Sequence, residues 1–171
     1  MKTRAETFAW NVKNQLGKVH RVASLEKVPA LVRRLAEQLG LEPKAVVAAA
    51  SDLKDINWKG LEVEHRPAGI EDVLGISRAM AGIAETGTLV FASGKSNPPS
   101  LNFIPEYSIA IVRESELVDT SEEVWVILRE KQPFPATINM VTGPSRTGDI
   151  EQTLFLGAHG PRELHVVMVK S

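Results

Sequence analysis

The chain has 171 residues, of which 43% are hydrophobic and 24% charged, and its 20 Lys and Arg nearly balance 21 Asp and Glu. A single domain over residues 1–171 is the expectation at this length, large enough to bury a core without disulfide or metal staples. The charge balance and an aromatic content of only 5% argue against nucleic acid as a partner, and the absence of cysteine excludes disulfides, thiolate metal sites, Cys nucleophiles and any cysteine-ligated iron–sulfur cluster in this chain.

The first residues carry no apolar signal-like stretch, and the longest aliphatic run, Ala45–Ala50, is far short of the roughly 20 residues that span a bilayer. No membrane span and a cytoplasmic location are therefore expected.

In chain order, Ala5, Phe8, Ala9, Val12 and Leu16 fall at helical spacing, and Gly17 supplies a stop. This helix, about residues 4–17, is a candidate peripheral element. Val19–Val22 predicts a short strand. Ser24 is placed to cap a second helix with the stripe Leu25, Val28, Leu31, Val32, Leu35 and Leu39, ended by Gly40. Ala45–Ala50, with its β-branched pair Val46-Val47, predicts a buried parallel strand. Leu61–Glu64 alternates like another strand.

Val73, Ile76, Ala79, Met80 and Ile83 suit a helix, followed by a strand at Leu89–Phe91. Ser93–Ser100, with Gly94 and Pro98-Pro99, reads as a loop. Tyr107–Val112 predicts a strand. Thr120 or Ser121 caps a helix whose buried face is Val124, Trp125 and Leu128, and Pro133 and Pro135 break it. Thr137–Val141 and Leu164–Val169 complete the strands. Strands alternating with helices predict an α/β fold, a mostly parallel sheet covered by helices.

Two polar, glycine-bearing segments stand out against this apolar pattern. Thr142–Glu151 follows a predicted strand. Gly143 lets the backbone approach an anion, Ser145, Arg146 and Thr147 add donors, and Asp149 and Glu151 can bind a ribose, a metal or a basic group. The competing reading is a strand–turn–helix connection in which Ser145 or Thr147 caps a helix. The second segment is Glu85-Thr86-Gly87-Thr88. Glu85 there is either a base or nucleophile toward an acyl group, or an exposed turn residue. His159, between Gly157 and Gly160, is open to proton transfer or anion binding, or is a structural turn residue. His20, His65 and His165 show no ligand spacing, so no metal site is expected.

Gly82–Val90, then Ser145–Glu151, then Leu156–Pro161 together resemble the LUD-domain family, that of the lactate utilization protein C proteins, in the family's order and at similar separations. The resemblance covers about Ile70 to Val169. It implies a three-layer α/β/α sandwich similar to the NagB/RpiA/CoA-transferase-like fold. It also implies an accessory role in bacterial L-lactate oxidation to pyruvate, beside partners that resemble iron–sulfur oxidoreductase subunits. Redox clusters would then sit on those partners, and this chain would hold a small anionic or nucleotide-like ligand, its cofactor otherwise unknown. Glu85, Thr86, Gly87 and Thr88 match the family's first motif, Ser145, Arg146, Thr147, Asp149 and Glu151 the second, and Gly157, His159 and Gly160 the third. Two departures are Gly148, where relatives carry Ala, and Tyr107-Ser108, where relatives show a His before the strand. The alternatives are an independent CoA-transferase-like or ligase-like enzyme using Glu85, and a non-catalytic ligand-sensing domain.

Overall fold

The computed structural model describes residues 2–131, 133–148, 154–156 and 160–170. Its centre is a sheet of six strands: β1 (Lys18–Val22), β2 (Lys44–Val47), β3 (Glu62–Glu64), β4 (Leu74–Arg78), β7 (Tyr107–Arg113) and β12 (Glu163–Val169). They run in the order β1-β12-β7-β4-β2-β3, and every pairing is parallel. A second sheet, in the order β8-β5-β6-β9, is built from β5 (Ala81–Ile83), β6 (Thr88–Ala92), β8 (Leu117–Val118) and β9 (Ile138–Val141). A two-stranded ribbon pairs β10 (Arg146–Gly148) with β11 (Leu154–Leu156). The α/β class with a mostly parallel sheet is the one the alternation predicts.

The inner strands of a parallel sheet are apolar on both faces because both are covered. Ile76, Ile109, Ile111, Val167 and Val169 pack on one side against Leu25, Val28, Val32 and Leu35, the last three from helix α2 (Val28–Leu39). On the other side Ala110, Val112, Leu164, Val166 and Met168 meet helix α1 (Arg4–Asn14) and the small sheet. Three further helices follow: α3 (Ser51–Lys54), α4 (Ser100–Phe103) and α5 (Ser121–Arg129). The outer face of the small sheet is closed by α5 through Val124 and Leu128. Helix α1, read from the sequence as a candidate peripheral element, buries Phe8 and Val12 in the core between the sheets.

Several local expectations change. The segment Val73–Ile83 is not a helix but β4 followed by β5. Its apolar spacing mimics a helical stripe because β4 is buried on both faces and so lacks alternation. Gly75 is also required by contact, since a Cβ there would lie 2.6 Å from Pro105 and 2.9 Å from the Leu101 carbonyl oxygen. Ser24 makes no side-chain cap bond; it opens a 3-10 turn, Leu25–Lys27, that leads into α2. Trp125 is 44% exposed, because it lies one residue, about 100°, round the helix from the inward-facing Val124. At the end of α1 the left-handed residue is Leu16, not Gly17. Gly17 is needed there for space, as a Cβ would meet Val12 Cγ1 at 2.6 Å.

Candidate functional site

The Glu85–Thr88 and Thr142–Ser145 segments meet. β5 and β6 are antiparallel neighbours, so the turn joining them places Thr88 at the start of β6. β9 runs antiparallel to β6 with Leu89 opposite Val141, which brings Thr142 alongside. Thr88 Oγ1 then lies 2.7 Å from Thr142 Oγ1 and 2.7 Å from Thr86 Oγ1, a chain of three hydroxyls across the two loops. Hydroxyls in series polarise one another, since each can accept one bond while donating the next.

Both loops are clamped on the carboxyl end of α1 by glycines. Gly87 has φ +70 and a Cβ there would be 2.5 Å from the Val12 nitrogen. Gly143 has φ +77 and a Cβ would overlap the Gln15 carbonyl oxygen. Asn11 Nδ2 donates to the carbonyls of Ala84 (2.8 Å) and Glu85 (3.1 Å), and Arg146 Nη2 donates to Gln15 Oε1 at 3.0 Å. The third segment joins them, because the Ser145 N–H donates to the Pro161 carbonyl at 2.8 Å.

Behind these loops lies a cavity of about 270 Å³. It is bounded by Asn102 and Phe103 of α4, Ser108 of β7, Leu164 of β12, and the Thr142–Ser145 loop. Ser108 and Leu164 sit at the beginnings of their strands, so this cavity opens at the amino edge of the parallel sheet. The Thr142 segment follows the carboxyl end of β9, but β9 belongs to the small sheet and not to the parallel one. The strand–turn–helix alternative for Thr142–Glu151 is replaced by the β10–β11 ribbon, in which Thr147 pairs with Phe155.

Glu85 is exposed, and its carboxylate accepts from the Ser121 N–H at 3.3 Å, at the start of α5. It is not among the cavity-lining residues. Thr86 is exposed, Gly87 and Thr88 are buried, and Arg146 is exposed at the start of β10. Asp149, Glu151 and His159 lie outside the described residues.

Residues that the sequence did not single out form a second feature. At the carboxyl edge of the parallel sheet, the chain leaves β2 toward β3 on one side and leaves β4 toward β7 on the other. Such a switch point opens a crevice, here about 820 Å³ and lined by Ser51, Asp52, Arg78, Ser93, Asn97 and Glu116 among others. Arg78 crosses its floor. It donates to both Glu116 oxygens (2.7 and 2.6 Å) and to Asp52 Oδ2 (3.0 Å), and Arg113 adds a bond to Asp52 at 3.2 Å. Burial works against the Arg78 charge, yet the bonds to Glu116 and Asp52 outweigh it and raise its pKa. Two cations and two carboxylates thus neutralise one another, leaving a floor of no net charge. An Arg closing an otherwise apolar strand was the sequence signal for this network; for Asn102 and Ser108 it was a polar residue inside an apolar run.

His20 and His165 come together in the fold although their sequence spacing gave no hint of it. Their rings stack with centroids 5.2 Å apart, and His20 Nε2 lies 3.0 Å from His165 Nδ1. Burial lowers the His20 pKa from 6.5 to about 4, with smaller contributions from His165, Arg34 and Lys18. Burial also lowers that of His165, against the opposing pull of Glu163. A histidine held neutral binds fewer protons folded than unfolded. Its contribution is therefore complete above pH 6.5 and lost as the pH falls toward about 4. We expect the melting temperature to fall across that window, and His20→Asn to flatten the fall; an unchanged slope in the variant would refute this assignment.

A family model described as the LUD domain matches residues 5–169. The chain belongs to the LUD domain family. Among relatives, Lactate utilization protein C of Halalkalibacterium halodurans is 38% identical over 100 residues, which is 56% of this chain and 44% of that protein. Lactate utilization protein C of Bacillus licheniformis is 35% identical over 101 residues, 57% of this chain and 42% of that protein. The matched stretch thus spans less than half the length of these curated relatives. A crystal structure of a DUF162 family protein from Deinococcus radiodurans superposes with a TM-score of 0.66, at 23% identity and over 99% of each chain, so this LUD domain shares its fold.

Proposed function

We propose that this LUD domain is an accessory component of a bacterial L-lactate-oxidising system, and that it holds a small anionic or nucleotide-like ligand at the Glu85–Thr88 and Thr142–Glu151 loops. The observation that carries the ligand site is the convergence of the three motif segments, Thr88 on Thr142 and Ser145 on Pro161, with the second and third of them lining one cavity. The lactate context rests on the curated relatives named Lactate utilization protein C. Iron–sulfur oxidoreductase subunits are the proposed partners, as the resemblance to the LUD-domain family implies; a chain without cysteine cannot itself ligate such clusters through thiolates.

In this reading Arg146, exposed at the rim beside Gln15, meets the anionic end of the ligand. A ligand at 100 times its dissociation constant stabilises the folded state by ~2.7 kcal/mol. We expect a thermal shift with lactate, nucleotides or coenzyme A that disappears in Arg146→Ala, and reciprocal pull-downs from native extract that recover cysteine-rich redox subunits. Extract that yields no such association would remove the partner assignment. The acyl-transfer alternative draws no geometric support from Glu85, which faces the start of α5 rather than the cavity.

A further inference from the structure

The cavity behind the loops has a polar group that the fold leaves unused. Asn102 is 3% exposed and lines the cavity, and among the described residues neither its Nδ2 nor its Oδ1 has a hydrogen-bond partner. Leaving both halves of a buried amide unsatisfied is costly, and folds keep few such groups without a reason. The remaining walls are Phe91, Phe103, Met140 and Leu164, with Ser108 and Ser145 adding hydroxyls. No charged side chain lines the cavity among the described residues. A charged ligand group placed here would lose its hydration without a counter-ion.

An Asn amide presents a donor and an acceptor side by side, and its complement is a planar group with an acceptor beside a donor. A volume of about 270 Å³ is just under the range of pockets for drug-sized ligands, so it admits a ring or a short chain rather than a whole dinucleotide.

We infer that this cavity is a recognition chamber for a neutral, planar amide-like edge, either a carboxamide or a nucleobase, and that Asn102 reads it. The inference rests on the proposed ligand site and deepens it. The anionic end stays at the rim near Arg146, and the neutral end enters between the two sheets. Asn102 sets which neutral group is accepted, and Ser108 and Ser145 supply hydroxyls along the path.

The test is calorimetric titration of the full chain with three probes. Adenosine 5′-monophosphate carries a nucleobase and an anion, succinamate a primary carboxamide and an anion, and ribose 5-phosphate an anion without either. We expect one of the first two to bind at least tenfold more tightly than ribose 5-phosphate, and which one it is distinguishes nucleobase from carboxamide. Asn102→Leu should weaken that binding at least tenfold while melting no lower than the parent chain, because an unsatisfied amide has been removed. The Asn102 side-chain NH2 resonances should also shift on titration.

Equal binding of all three probes, binding unaffected by Asn102→Leu, or no binding of either amide-bearing probe at millimolar concentration overturns the inference. A marked fall in melting temperature in Asn102→Leu does so too, since Asn102 would then be a structural residue. Loss of binding in Asn102→Leu with none in Arg146→Ala would keep the chamber and displace the loop assignment; the reverse pattern would keep the loops and discard the chamber.

Discussion

Arg78→Met is expected to destabilise the folded protein by about 3 kcal/mol, the largest loss from any single polar truncation in the described structure. The Arg78 side chain is 11% exposed, while Asp52 and Glu116 are each 28% exposed. Removing the cation strips Glu116 of its counter-ion and leaves Asp52 to Arg113 alone, in a place where water reaches both carboxylates only in part. Breaking a fully buried pair costs about 3–5 kcal/mol, and the partial exposure of the acids moves the expectation to the low end. For a chain of this size that corresponds to a melting temperature lower by roughly 6–12 °C. Arg78→Met with Glu116→Leu should recover part of the loss, because the stranded charge is removed together with its partner. A single variant that melts within a degree of the parent would mean that the network is no more than a surface ion pair.

The second large effect belongs to the glycines that seat the motif loops. Gly87→Ala and Gly143→Ala each combine a left-handed backbone with a collision against main-chain atoms of α1. A side chain can rotate away from an intruding methyl, but the backbone of a packed helix cannot. A positive φ costs an alanine about 1 kcal/mol, and overpacking adds about 1–3 kcal/mol. We expect losses of about 2–4 kcal/mol in urea denaturation. Gly94→Ala is the control, since its Cβ would meet nothing within 4 Å and its φ is not in the left-handed region; it should stay within about 0.5 kcal/mol. Equal midpoints for Gly87→Ala and Gly94→Ala would show that the loops are not seated on α1 in this way.

These glycines also mark the limit of what was legible in the sequence. The alternation of elements foretold the parallel sheet, because apolar runs such as Ala45–Ala50 and Leu164–Val169 have one stable home, a strand covered on both faces. The same physics hid β4. A strand buried on both sides has no alternation, so Ile76 within β4 and the flanking Val73, Ala79 and Met80 pass together for a helical stripe. The motif resemblance grouped the two loops in one ordered set without saying how they meet. What brings them together is the small sheet, a pairing of β6 with β9 across some fifty residues that no local pattern encodes. Asn102 was overlooked for another reason: its signal, a polar residue between Leu101 and Phe103, is weak until the amide is seen without a partner among the described residues.

The position of β1 beside β12 has a consequence for how the protein is made. His20 and His165, stacked across that pairing, are separated by 145 residues. β1 therefore finds its neighbour in the sheet only after the 145 residues between these two histidines have been synthesised. At ordinary synthesis rates this is a wait of roughly 7–30 s. Until then α1 also lacks the β12 side chains that it shares a core with, so the nascent amino-terminal segment carries Phe8, Val12 and Val19 without their final cover. Such late, long-range closure slows folding and lengthens the time for which an apolar edge is open to other chains. The sheet is thus completed by its last strand, and the protein's exposure to aggregation is greatest while it is still being synthesised.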